Sequence, residues 1–222
     1  MKACFFCAQE EKGRILYESE HFYVLLGLGP IVEGYVLLVA RQHIRSMFDL
    51  PEDIRASYIA EKQRLRQLIE DVYGPSIVTE HGRIQACIVE DEEAHDLLCY
   101  HAHQLFFPTN IDLSTLSQEG PFEKVFEGRS LFDMQTSALP EDDEYLLFEN
   151  SAGQVFVYKV RGKCPRQYMR YLVARSIGKP ELASWQKYPE YDTIWRAKAR
   201  YDTIPQAKAR YEQVLPLPIG AD

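Results

Sequence analysis

Apolar positions in the first half of the chain come in short blocks separated by turn residues, with one long stretch at helical spacing. Blocks at 15–17 and 21–28, parted by Glu18-Ser19-Glu20, predict two short strands. Gly29-Pro30 and Gly34 punctuate the next stretch, and the apolar run 35–39 reads as a buried strand. Asp49-Leu50-Pro51 then opens a helix, with Asp49 as the expected N-cap and acids in the first turn to suit the dipole. Ile54, Tyr58, Ile59, Leu65, Leu68, Ile69 and Val72 recur at 3.6-residue spacing until Gly74-Pro75 stops them. Residues 77–80 predict a strand, His81-Gly82 a turn, 83–89 an extended segment, 90–96 an acidic loop and 98–107 a further strand.

Beyond Pro108 the pattern changes. Residues 109–143 are polar and broken by Gly120-Pro121 and Pro140. Apolar blocks at 145–149 and 154–160 flank Asn150-Ser151-Ala152-Gly153 and predict a hairpin. Pro165 suits the first turn of a helix running to about Ile177, before Gly178. A tail helix is expected near 190–214, where residues 191–200 are nearly repeated as 201–210. Two copies are too few for a solenoid, and Pro205 should kink such a helix.

Alternation gives the 98–107 strand its chemical interest. Residues two apart share a face, so His101 and His103 are expected side by side, with Cys99 and Leu105. Such a pair can bind metal, share a hydrogen-bond network or attack an electrophile. Near the N-terminus, Cys4-Phe5-Phe6-Cys7 is a zinc half-site, a redox pair or a coincidence. Redox pairs of this spacing follow a strand, and none precedes this one. His43 and His101 have the chemistry to complete a tetrahedral zinc.

Composition bounds the function. The 222 residues are 46% hydrophobic and 26% charged, enough to build a core without staples. Five cysteines, an odd number, argue against a disulfide framework, and no membrane span or secretory signal is seen, so a cytoplasmic protein is expected. A formal net charge of −8 disfavours long nucleic acid and leaves room for a local basic pocket. Cys87, Cys99 and Cys164 read as buried thiols, and His21 as a solvated residue. Lys163, Arg166, Arg170 and Arg175 lie three to five apart, as a solvated helix face or a phosphate-binding one.

Taken together, these motifs resemble the histidine-triad (HIT) superfamily. Cys4-x-x-Cys7 is similar to the half-site of its zinc-binding members. The stretch from Leu28 to His43 resembles the family's turn, glycine, strand and lone histidine, and Asp49-Leu50-Pro51 starts a long helix at the expected place. Glu80-His81-Gly82 is similar to a motif of one bacterial subgroup, and His101-Ala102-His103-Gln104-Leu105 to the triad strand. The region from Cys164 to Arg170 resembles the C-terminal part of that subgroup more loosely.

The resemblance implies an α+β fold: an antiparallel sheet with a long packed helix over 1–118, and a C-terminal α/β extension over 119–222 packed on it. It implies structural zinc on Cys4, Cys7, His43 and His101, with His103 as the nucleophile that forms a nucleotidyl-histidine. Contacts to a nucleotide or nucleotide conjugate fall to His81, Gly82, Gln104, Arg166 and Arg170, and a homodimer through sheet extension is implied. Four departures point to weakened activity, one of them the acidic segment 92–98 just before the triad strand, whose charge opposes phosphate. Leu105 replaces the third histidine, Gln104 is one residue off register, and Gly27 stands where an acidic ribose ligand is expected. The expected function is a nucleotide-phosphate hydrolase or nucleotidyltransferase. The alternatives are an inactive nucleotide-binding module and a protein-interaction module.

Overall fold

A computed structural model describes residues 4–9, 12–84 and 101–204. Among the described residues eight strands form one sheet in the order β1-β2-β3-β5-β4-β7-β8-β6, with every neighbouring pair antiparallel. The strands are β1 (Ile15–Glu18), β2 (Phe22–Leu26), β3 (Val36–Ala40), β4 (Ile77–Gly82), β5 (His103–Phe107), β6 (Phe122–Gly128), β7 (Tyr145–Glu149) and β8 (Val155–Val160). The helices are α1 (Phe5–Ala8), α2 (Glu52–Tyr73), α3 (Tyr168–Ser176) and α4 (Tyr191–Asp202). The α+β class and the antiparallel sheet under a long helix agree with the sequence.

Both faces of the sheet are covered, which explains why β2, β3 and β7 are buried at every position and apolar except for Glu149 at the end of β7. On one face Phe22, Val24, Leu38, Phe106 and Leu147 pack against Tyr58, Leu65 and Ile69 of α2 and Ile194 and Tyr201 of α4. On the other, Leu25, Leu37, Leu105 and Phe148 pack against Met169, Leu172 and Val173 of α3. The outer edge of β4 is taken by β7, so the sheet runs without a break from the first half of the chain into the second.

Several expectations are corrected. Asp49 does not cap α2: the cap position is Pro51, and the Asp49 carboxylate accepts from the Ser46 hydroxyl at 2.7 Å and the Arg83 guanidinium at 2.9 Å. Glu52 and Asp53 do occupy the first turn, and Gly74 ends the helix at φ 92°. His81 and Gly82 are no turn but the last two residues of β4. Arg83 is not extended, standing instead at φ 54°. His101 precedes β5, which begins only at His103. The polar stretch after Pro108 contains β6, an edge strand whose Glu123, Lys124 and Glu127 are exposed, as suits an edge facing water. The helix after Pro165 begins at Tyr168, and α4 ends at Asp202. Residues 85–100, with Cys87, His95, Cys99 and the acidic segment, lie outside the described residues, as do Pro205 and most of the second repeat.

Candidate functional site

Pairing of β5 with β3 on one side and β4 on the other presents His103, Leu105 and Phe107 to the α3 face of the sheet. Antiparallel register pairs Thr79 with Leu105, and the same register, continued two residues on along β4 and two back along β5, sets His81 level with His103. A cavity of about 360 Å³ opens there. Phe5 and Phe6 of α1, Tyr35, Trp185 and apolar sheet residues form most of its wall, with His81, His103 and Arg166 among its polar groups.

His103 is fixed in one tautomer. Its Nδ1 lies 2.7 Å from the His101 carbonyl oxygen, which can only accept, so Nδ1 carries the proton and Nε2 keeps its lone pair. Burial pushes the imidazole down to about 4, Arg166 and His81 adding to the effect while the His101 carbonyl opposes it. Near pH 7 the ring is therefore a neutral base. The Phe6 ring stands 4.8 Å from it, and the Tyr23 hydroxyl holds the Phe6 carbonyl at 2.9 Å.

Cys4, Cys7, His43 and His101 converge, with all four donor atoms within 4.8 Å of one another. His101 Nδ1 is 3.3 Å from His43 Nδ1 and 3.6 and 3.5 Å from the Cys4 and Cys7 sulfurs; Cys7 is 3.2 Å from His43 Nδ1. A tetrahedral zinc with ordinary bond lengths has edges of about 3.3 Å between two nitrogens and about 3.6 Å between nitrogen and sulfur. The donor set therefore fits zinc in kind and in spacing. His101 Nε2 donates to the Ala40 carbonyl, which leaves Nδ1 its lone pair. Contrary to the expectation from an odd cysteine count, Cys4 is disulfide-bonded, while Cys7 and Cys164 are free. A metal role for Cys4 belongs to the reduced chain.

Other nominated residues are placed differently. Gln104 points to the α2 face, where it accepts from Tyr58 at 2.7 Å and donates to Glu80 at 2.9 Å; it is no part of the cavity. Gly82 lies against the Tyr145 ring, 2.3 Å from where a Cβ would be, so its role is packing on that same far face. Arg170 lines the cavity, but its guanidinium is spent on the carbonyls of Gly29, Leu182 and Ala183. At Gly27 a Cβ would fall 1.9 Å from the Tyr35 ring, which excludes an acidic side chain there.

Sequence reading missed Glu144. Its carboxylate lies 2.5 Å from His81 Nε2, and neither group carries a motif that would have linked them across 63 residues.

Fold and site define a class: an α+β sheet protein with a tautomer-locked histidine at a cavity beside a Cys2His2 cluster. Residues 8–103, from the end of α1 to the first residue of β5, match the family model of the HIT domain. No curated protein matches the chain. Among solved structures, a zinc-bound histidine triad family protein from Mycobacterium smegmatis is 24% identical, with 50% of this chain and 78% of that one covered at a TM-score of 0.35. A HIT family member from Bacillus subtilis is 19% identical, covering 48% and 73% with a TM-score of 0.37. A HIT family hydrolase from Clostridium thermocellum is 18% identical, covering 51% and 95% with a TM-score of 0.34.

Proposed function

We propose that this chain is a zinc-binding HIT-type enzyme that cleaves or transfers at a nucleotide phosphate through a nucleotidyl-His103 intermediate. The observation that carries the reading is the lock on His103: Nδ1–H is bound to the His101 carbonyl, and Nε2 is unprotonated beside a cavity. A neutral imidazole with one nitrogen tied back is what attack on phosphorus requires. The cavity's aromatic and apolar walls suit a nucleobase, and Arg166, close enough to depress the His103 pKa, supplies positive charge for the phosphate.

Zinc on Cys4, Cys7, His43 and His101 would supply structural tethering and no chemistry at phosphorus. The tethered segment carries Phe6, whose ring lies tilted against that of the nucleophile, so the cluster also holds one wall of the cavity. A cytoplasmic location belongs with this reading, in which Cys4 works as a reduced thiolate. No described helix is long and apolar enough to cross a membrane. A homodimer through sheet extension would use β1 or β6, since β7 covers β4.

Incubation of the reduced protein with labelled dinucleoside polyphosphates and nucleoside phosphoramidates, followed by denaturing trapping, tests the reading. Label should stay on wild type and disappear in His103→Ala. Turnover that survives His103→Ala ends the nucleotidyl-histidine mechanism. Binding without turnover or label moves the chain to the inactive nucleotide-binding alternative.

A further inference from the structure

We propose that His81 and Glu144 form an imidazole–carboxylate dyad that protonates the group leaving the phosphorus attacked by His103. The inference rests on the nucleotidyl-His103 reading and adds the proton donor that reading lacks. Leu105 sits where the family has a third histidine, and a leucine has no proton to give.

Geometry carries the assignment. His81 and His103 are level on adjacent strands, share the α3 face and line the same cavity. The His81 side chain is 9% exposed and that of Glu144 13%, so the pair is withdrawn from bulk water. A carboxylate only accepts, so His81 Nε2 carries a proton toward Glu144. That leaves Nδ1, which is buried and has no hydrogen-bond partner among the described residues. Buried polar atoms in folded proteins are paired as a rule, and this unpaired one belongs to a residue that lines the cavity. The dyad donates in its imidazolium form, in which Nδ1 also carries a proton.

A metal site is the competing use of this cluster, because Cys164 lies within reach of the same atoms. Two observations disfavour it. The Cys164 thiol is already engaged, its sulfur donating to the Pro165 carbonyl at 3.8 Å. The 2.5 Å separation of His81 and Glu144 is a hydrogen bond, shorter than the edge between two ligands of one tetrahedral ion.

The dyad also gives the C-terminal half a chemical part. Glu144 immediately precedes β7, and pairing of β7 with β4, Leu146 opposite His81, brings the carboxylate to the imidazole. The HIT match ends at residue 103, so the donor's partner comes from outside it.

The steps balance. The lone pair on His103 Nε2 forms a bond to phosphorus while the bond from phosphorus to the leaving oxygen breaks. That oxygen keeps the electron pair and takes the proton from His81 Nδ1. Water then attacks phosphorus and gives a proton back to His81 Nδ1. The phosphorus–nitrogen bond breaks, and its electrons return to His103 Nε2.

Two esters of one nucleotide test the dyad: a p-nitrophenyl ester, whose leaving group departs unprotonated, and an alkyl ester, whose leaving group needs a proton. The nucleotide is the one that labels His103 in trapping. In kcat/KM, which reports release of the leaving group and not the later hydrolysis common to both esters, full-length His81→Gln should lose about a hundredfold or more on the alkyl ester and less than about tenfold on the nitrophenyl ester. Glu144→Gln should move the two rates in the same unequal way, and retained nitrophenyl activity shows that each variant is folded. Equal losses on both esters, or no loss on the alkyl ester, would overturn the dyad. Absence of His103-dependent turnover in wild type would instead overturn the mechanism on which the dyad depends.

Discussion

Replacing Glu80 by glutamine should remove from the protein's stability a pH dependence set by one buried carboxyl. Glu80 lies beneath the sheet at 1% exposure, accepting from the Met47 amide at 2.7 Å and from Gln104 and the Tyr145 hydroxyl at 2.9 Å each. Burial outweighs these donors and pushes the carboxyl from 4.5 up to about 7. A raised folded pKa means that its contribution to stability is full below about pH 4.5 and is lost as pH climbs to about 7. The difference between those values corresponds to about 3 kcal/mol. Glu80→Gln removes the titration while preserving shape. The new amide oxygen keeps Met47 and Tyr145, and the Gln104 amide turns over to accept from the new NH2.

His103 works in the opposite sense, because its pKa is depressed to about 4 and its contribution fades as pH falls from about 6.5. The wild-type curve therefore blends opposed titrations, and the difference between variant and wild type isolates Glu80. Urea unfolding of both proteins at steps from pH 4.5 to 8 provides it. Relative to wild type, Glu80→Gln should gain about 3 kcal/mol across that range. A difference that does not change with pH would refute the reasoning.

Under reducing conditions the protein should carry about one zinc per chain, measurable by metal analysis and lost in Cys4→Ser along with thermal stability. Glu149 is nearly buried and pairs with Lys62 at 2.7 Å and with Arg66, so Glu149→Gln should cost about 3 kcal/mol or more in denaturant unfolding. Wild-type stability in that variant would show the pair to be replaceable. Residues 1–118 expressed alone should be poorly soluble and less stable, because the cut bares the β4 edge and the α3 face of the sheet; a fragment as stable as the whole chain would show 119–222 to be an independent appendage.

Short-range patterning made part of this protein legible. The runs containing β2, β3 and β7 are apolar at successive positions because both faces are buried, and α2 shows its stripe at Tyr58, Leu65 and Ile69 because one face is. The zinc-type donors were legible as residue types, since cysteine and histidine at those spacings have few other joint uses. What the sequence did not contain was pairing at long range. Phe122–Gly128 is polar enough to pass for a loop, and it becomes a strand only because β8 supplies its hydrogen-bond partners. His81 followed by glycine reads locally as a turn, yet pairing with Leu146 extends the strand through both residues. The same pairing turns Gln104 and Glu80 into the core while bringing Glu144 to His81. Local conformational preference is set by neighbours three or four residues away. Which strands lie side by side is set by the apolar area the whole chain can bury, and that choice placed the chemistry.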